Sequence, residues 1–308
     1  MAVFNNAQSS HSGEEYVFAC LDWAFRQIGV EVHRRDRSIE ELSPAFLAQY
    51  HRIFSNGVNW HPDFHEHPEV TCKVRTLHFW GNKIPGPEAP YDQRQILSPF
   101  PEDYNTFLGF FPHELVAQNR TIPDRHRGKE GLIVGKVAFL FQLDPDFVPA
   151  VQTLIDSGFT MHSVCREQLE NNCGLPDGVV MHSSLSPEEY SQLIARMAFL
   201  IGAGAPIISP SPFVGWAQGA AWLNPFVTTN DPRHRNQTRE SLQKYPLHWM
   251  HPPNTNVIVT QHTPISMLGA PYVYNVDLSD KASVVQAAYR AVRYRFASYA
   301  HPLFRPVL

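Results

Sequence analysis

The chain has 308 residues, 43% of them apolar and 18% charged, the latter below the roughly 25% of average soluble chains. That apolar share supports a sizeable core and excludes disorder as the main state, and the length suits two domains or one large one. With 25 basic against 29 acidic residues and a net charge of -4, the chain lacks the basic surplus of a phosphate-binding nucleic-acid partner.

In chain order, the first strong element is a helix over Ser12–Ile28. Ser12 and Glu15 have capping-box spacing, Val17, Cys20, Leu21, Ala24 and Ile28 recur at helical spacing, and Gly29 ends the run. Val30–Val32 reads as a short strand, 36–54 as a second helical stretch, and 56–70 as a loop rich in His, Pro and Asp. Val74–Phe79 reads as a strand, followed by a Pro/Gly-rich segment through Pro112. The polar run Gln118–Gly131 marks the boundary between an acceptor-side domain, 1–117, and a second domain, 118–308. In the second half, Leu132–Val134 reads as a buried strand, followed by the apolar run Val137–Leu143 and a helix after Pro145. Strands at Thr160–Val164, Val179–Met181 and Phe199–Gly202 alternate with a helix over Ser186–Met197 and another over 212–221. A strand at Val273–Val276 and a helix over 281–296 close the series, and this alternation predicts a parallel sheet with crossover helices. No stretch approaches the roughly 18 apolar residues of a membrane span. The N-terminus has neither the basic nor the apolar region of a signal peptide. The chain as given therefore reads as soluble.

Several small constellations have both a chemical and a structural reading. Asp144-Pro145-Asp146 has the Asp-x-Asp form that holds a divalent cation on a diphosphate, but Asp144 capping the next helix explains it better. His61, His65 and His67 sit in a proline-rich loop without metal-ligand framing and read as a solvated loop. Gly202-Ala203-Gly204-Ala205-Pro206, then Ser209-Pro210-Ser211-Pro212, ends a strand and opens a helix. Such a turn suits a phosphate or diphosphate, and equally a tight connection with nothing bound. Gly135-Lys136 stands at the carboxyl end of the first strand of the second half, where ligands of parallel sheets bind. Cys165 and Cys173 are close enough to close a small loop in an oxidising compartment.

Taken together, GEEYVFACLDWAFRQIGVEV (13–32), Tyr104–Phe110, GLIVGK (131–136), FLIGAGAPIISPSPFVGWAQGAAWLNP (199–225) and YVYNVDLSD (272–280) resemble one family. It is that of the alpha-1,6-mannosylglycoprotein 6-beta-N-acetylglucosaminyltransferases, or N-acetylglucosaminyltransferase V. The resemblance implies an α/β fold of GT-B type, two Rossmann-like domains facing a cleft, with the N-terminal one shortened by loss of its first strand. It implies an inverting, metal-independent transferase that needs no cofactor beyond its donor substrate. N-acetylglucosamine would pass from UDP-GlcNAc to a mannose 6-hydroxyl of an N-glycan in the Golgi lumen. The partners would be a nucleotide sugar and a glycan acceptor, with no nucleic acid.

Glu14 falls on the family's general base, and Gly135, Lys136, Gly204, Ser209, Pro210, Ser211 and Val214 fall on the donor side, with no metal ligands. This chain departs from the family at two glutamates of the Gly/Pro turn, replaced by Ile208 and Val214. A valine cannot hydrogen-bond a ribose. A catalytically impaired relative that binds glycan or nucleotide sugar without turnover is therefore the second reading.

Overall fold

The computed structural model describes residues 2–4, 13–35, 43–56, 67–77, 93–98, 106–107, 128–142, 144–165, 169–182, 185–203, 209–228, 258–262, 265–266 and 268–296. Side chains at some element ends, Glu14 among them, also lie outside that description. Two compact units lie within Met1–Pro112 and His113–Ala300.

The first unit is a parallel sheet of β1 (Ala2–Phe4), β2 (His33–Arg35), β3 (Ile53–Asn56), β4 (Val74–Leu77), β5 (Ile96–Ser98) and β6 (Thr106–Phe107). The order is β2-β1-β3-β4-β5-β6 among the described residues. β1 thus stands inside the sheet, which corrects the expectation that the first strand is missing. Helix α1 (Gly13–Gln27) buries Val17, Phe18 and Leu21 and sets Phe25 against Phe54 of β3, ring centroids 5.4 Å apart. Gly29, at φ 73°, ends it as its position predicts.

The strand expected at Val30–Val32 forms instead at His33–Arg35. As an edge strand it needs no apolar run, and Arg34 is tied to Asp22 of α1 at 3.0 Å. The helical stretch expected within 36–54 is present but short. Among the described residues α2 (Pro44–Leu47) is helical there, capped by Ser43, while Ile53–Asn56 is the inner strand β3. Within the predicted loop 56–70, Pro68–Thr71 forms a short helix, α3.

The second unit contains β7 (Glu130–Val134), α4 (Phe147–Asp156), β8 (Thr160–Ser163), β9 (Val180–Met181), α5 (Pro187–Arg196), β10 (Phe199–Gly202), α6 (Ser211–Ala217), β11 (Ala221–Thr228), β12 (Ile258–Thr260), β13 (Val273–Asp277) and α7 (Lys281–Arg293). The parallel order is β9-β8-β7-β10-β11-β13, with β12 antiparallel to the end of β11. Leaving β12 aside, that is the doubly wound order of nucleotide-binding sheets.

α5 starts with a full capping box, Ser186 and Glu189 each bonding the other's main-chain N–H. One sheet face, with Ile133, Met161, Phe199, Ile201, Leu223 and Val276, packs into a buried cluster with Ala150, Val151 and Leu154 of α4 and Val284, Ala288 and Ala291 of α7. Each large apolar side chain buried there contributes about 1.5–3 kcal/mol.

The helix expected over 212–221 is shorter than predicted, ending at Ala217, and Ala221–Thr228 is strand. Pro225 is tolerated inside β11 for a geometric reason. The N–H of Ala221 points to Ala198 on the β10 side and that of Trp222 to Tyr272 beside β13, so the missing donor of Pro225 faces the β10 side. β10 pairs β11 only as far as Leu223, so no bond to β10 is lost, and the Pro225 carbonyl accepts the Gln261 N–H at 2.8 Å next to β12.

Candidate functional site

In the second sheet, β7 leads to β8 on one side while its other neighbour, β10, leads to β11 on the opposite side. Ligands of such sheets sit outside the carboxyl ends at this reversal. Gly202 pairs with Val134 there, so Gly135-Lys136 and Gly202-Ala203 leave the sheet side by side. A Cβ on Gly135 would overlap the Phe141 ring, and one on Gly202 would overlap the Gln261 side chain. Gly135 thus leaves room for a buried ring, while at Gly202 the end of the Gln261 side chain fills the space. Lys136 is exposed, and Gly204 and Ile208 lie outside the described residues.

The turn into α6 is held by a buried polar network. His262 donates from Nε2 to the Ser209 carbonyl at 2.9 Å, and its main-chain N–H donates to Asn224 Oδ1 at 3.0 Å. Trp222 Nε1 donates to the same oxygen at 3.2 Å, and Asn224 Nδ2 donates to Asn275 Oδ1 at 2.9 Å. Burial drives the His262 pKa down to about 3, a drop only partly countered by its bond to Ser209, so the ring is neutral.

Ser209 is 9% exposed and its hydroxyl has no hydrogen-bond partner among the described residues. A buried hydroxyl in that state stands to gain from a ligand oxygen. The main chain offers less than the turn alone implies. Pro210 and Pro212 have no N–H, and those of Phe213 and Val214 already bond the Pro210 carbonyl. Val214 is 3% exposed within α6, with no polar group to offer a ribose.

Asp144 and Asp146 are engaged in structure. Asp144 Oδ1 accepts the Asp146 N–H at 2.8 Å, and Asp146 pairs with Lys281 at 2.9 Å. The cap position is Asp146 rather than Asp144, because α4 begins at Phe147. Of the three loop histidines, only His67 is described, and it bonds Glu69 at 3.2 Å. Among the described residues no cluster of three or more His, Cys, Asp or Glu could hold a metal ion.

Cys165 and Cys173 are joined in a buried disulfide. Next to it, His162 Nδ1 and His182 Nε2 are 2.9 Å apart. Burial, then the His182 and Arg196 charges, lowers the His162 pKa to about 4. Neither this pair nor the Asn224–His262 network follows from a sequence motif. Their one signal is a polar residue inside an apolar strand, as with Asn224 in Leu-Asn-Pro.

In the first unit the sheet order also reverses at β1, between β2 and β3. Glu14 stands in the first turn of α1, on the segment that follows the carboxyl end of β1. The positive end of the helix favours an ionised carboxylate at that position.

Comparison with known proteins bears on what these two units do. Over 227 residues the chain is 24% identical to the human and rat alpha-1,6-mannosylglycoprotein 6-beta-N-acetylglucosaminyltransferase A, covering 71% of this chain and 28% of each relative. The chain thus spans under a third of their length. Among solved structures, it aligns with a glycosyltransferase from Rickettsia africae ESF-5 at a TM-score of 0.52 and 8% identity, covering 95% of this chain and 93% of that one. An alpha-glucosyltransferase solved with UDP and a DNA 13-mer aligns at 0.51 and 9%, with the same coverage. These likenesses, with the two parallel sheets, make the fold α/β of GT-B type. The sequence profile of glycosyltransferase family 18 matches residues 61–305, most of the chain, and the chain belongs to that family.

Proposed function

We propose that the chain transfers N-acetylglucosamine from UDP-GlcNAc to a mannose 6-hydroxyl of an N-glycan, inverting the anomeric carbon without a metal. The observation that carries this reading is the family 18 match over 61–305, on a second unit whose strand order is that of nucleotide-binding sheets. The choice of sugar and acceptor follows the activity that the names of the mammalian relatives state.

In this reading Glu14 takes the proton of the acceptor hydroxyl as its oxygen bonds to the sugar C1. The bond from C1 to the diphosphate oxygen breaks, and UDP leaves with the electron pair from the opposite face. Its growing charge meets the Ser209 hydroxyl, the main-chain N–H groups of Ser209 and Ser211, and Lys136. The buried Cys165–Cys173 disulfide supports an oxidising compartment such as the Golgi lumen.

A second reading, binding of nucleotide sugar or glycan without turnover, is favoured by Val214, which replaces a family glutamate by an apolar, buried side chain. One assay separates the two. With UDP-GlcNAc and a mannose-terminated N-glycan, the natural chain should form product at the same rate in EDTA, while Glu14→Gln forms none and keeps its UDP affinity. Rescue by manganese after chelation, or full activity of Glu14→Gln, would overturn the proposed mechanism. UDP binding without any product would favour the second reading.

A further inference from the structure

At the opposite edge of the second sheet, among the amino ends of its strands, an open pocket of about 750 Å³ is lined by Ala270, Pro271, Arg290, Arg293, Tyr294 and Arg295, with Val292. Three of its lining residues are arginines and none is acidic. We infer that it is a binding site for a small sugar-sized phosphate or sulfate ester, separate from the donor end of the sheet.

One structural explanation falls short. Basic residues in the last turn of α7 complement the helix dipole, which accounts for Arg290 and Arg293 singly. It does not account for a third arginine beyond the helix. Among the described residues neither Arg290 nor Arg293 makes an ion pair, whereas Asp22 collects two arginines elsewhere in the chain. The helix-end carbonyls that would repel an anion are partly occupied, since Tyr294 N–H bonds the Arg290 carbonyl and Arg295 Nε bonds that of Val292.

Arginine forks match the paired oxygens of phosphate and sulfate, and the volume falls in the range of small-molecule sites.

The test is calorimetric titration at low ionic strength with glucose 6-phosphate, glucose 6-sulfate and, as the neutral control, glucose. At least one ester should bind saturably and more weakly as salt rises, and glucose should not bind. The tighter arm identifies the ester class. Arg290→Gln with Arg293→Gln should weaken that binding at least about tenfold. Both side chains are exposed, so the melting temperature should hold. No saturable binding of either ester, or equal affinity in the double-arginine variant, would overturn the proposal.

Discussion

Gly135 illustrates how a residue on the edge proposed to bind the donor acquires its identity from packing. The Phe141 ring fills the place of a Cβ, so Gly135→Ala should force the ring aside and cost about 1–3 kcal/mol, read as a lower thermal midpoint. An unchanged midpoint with weaker UDP binding would assign the glycine to ligand approach instead. Val214 raises the complementary question. A valine leaves the ribose hydroxyls unpaired, so the natural chain should bind UDP and 2′-deoxy-UDP about equally. Val214→Glu should lower the midpoint of the free protein, because position 214 is buried, and added UDP should recover part of that loss. Strong natural preference for UDP in paired titrations would mean that another residue holds the ribose.

Among elements, those with clear local periodicity were legible from the sequence: α1, β7, α4, β8, α5, β10, β13 and α7 each form where the pattern of apolar residues puts them. β11 was not, because Leu-Asn-Pro within an apolar run reads as the end of a helix. The strand tolerates Pro225 because β10 stops short of it. β2 escaped notice as His-Arg-Arg, a composition that only an edge position allows. The connection after β8 depends on its disulfide, which closes a loop of 8 residues in sequence. Replacing both Cys165 and Cys173 by serine should cost about 2–3 kcal/mol, seen as a lower thermal midpoint that reductant no longer changes. If reductant leaves the natural chain's midpoint untouched, the bridge contributes nothing to stability.

For the whole molecule, the buried histidines link stability to pH. His262 and His162 titrate near 3 and 4 in the folded chain but near 6.5 when unfolded, because burial penalises their charged forms. The unfolded chain therefore binds more protons below about pH 6.5. Stability should be level above that pH and fall on acidification through the two folded values, by about 1.4 kcal/mol per pH unit for each group within its window. Urea midpoints at several pH values between 4 and 8 give the slope. His162→Gln should shallow it, and an identical slope in that variant would show that folding leaves the His162 pKa unshifted.

Some of this protein was settled by the order of residues along the chain. The alternation of strands and helices from Glu130 to Arg293 arises from contacts between neighbours a few positions apart, which hydrophobic period and turn residues record directly. The family resemblance is a record of the same kind, read segment by segment. Tertiary structure alone decided what distant residues do together. His262 grips the Ser209 carbonyl across 53 positions, and Lys281 of α7 pairs with Asp146 just ahead of α4. No local pattern marks such pairs. They exist because the doubly wound sheet brings strand ends together at one edge and leaves an arginine-lined pocket at the other, and strand order is a property of the folded chain.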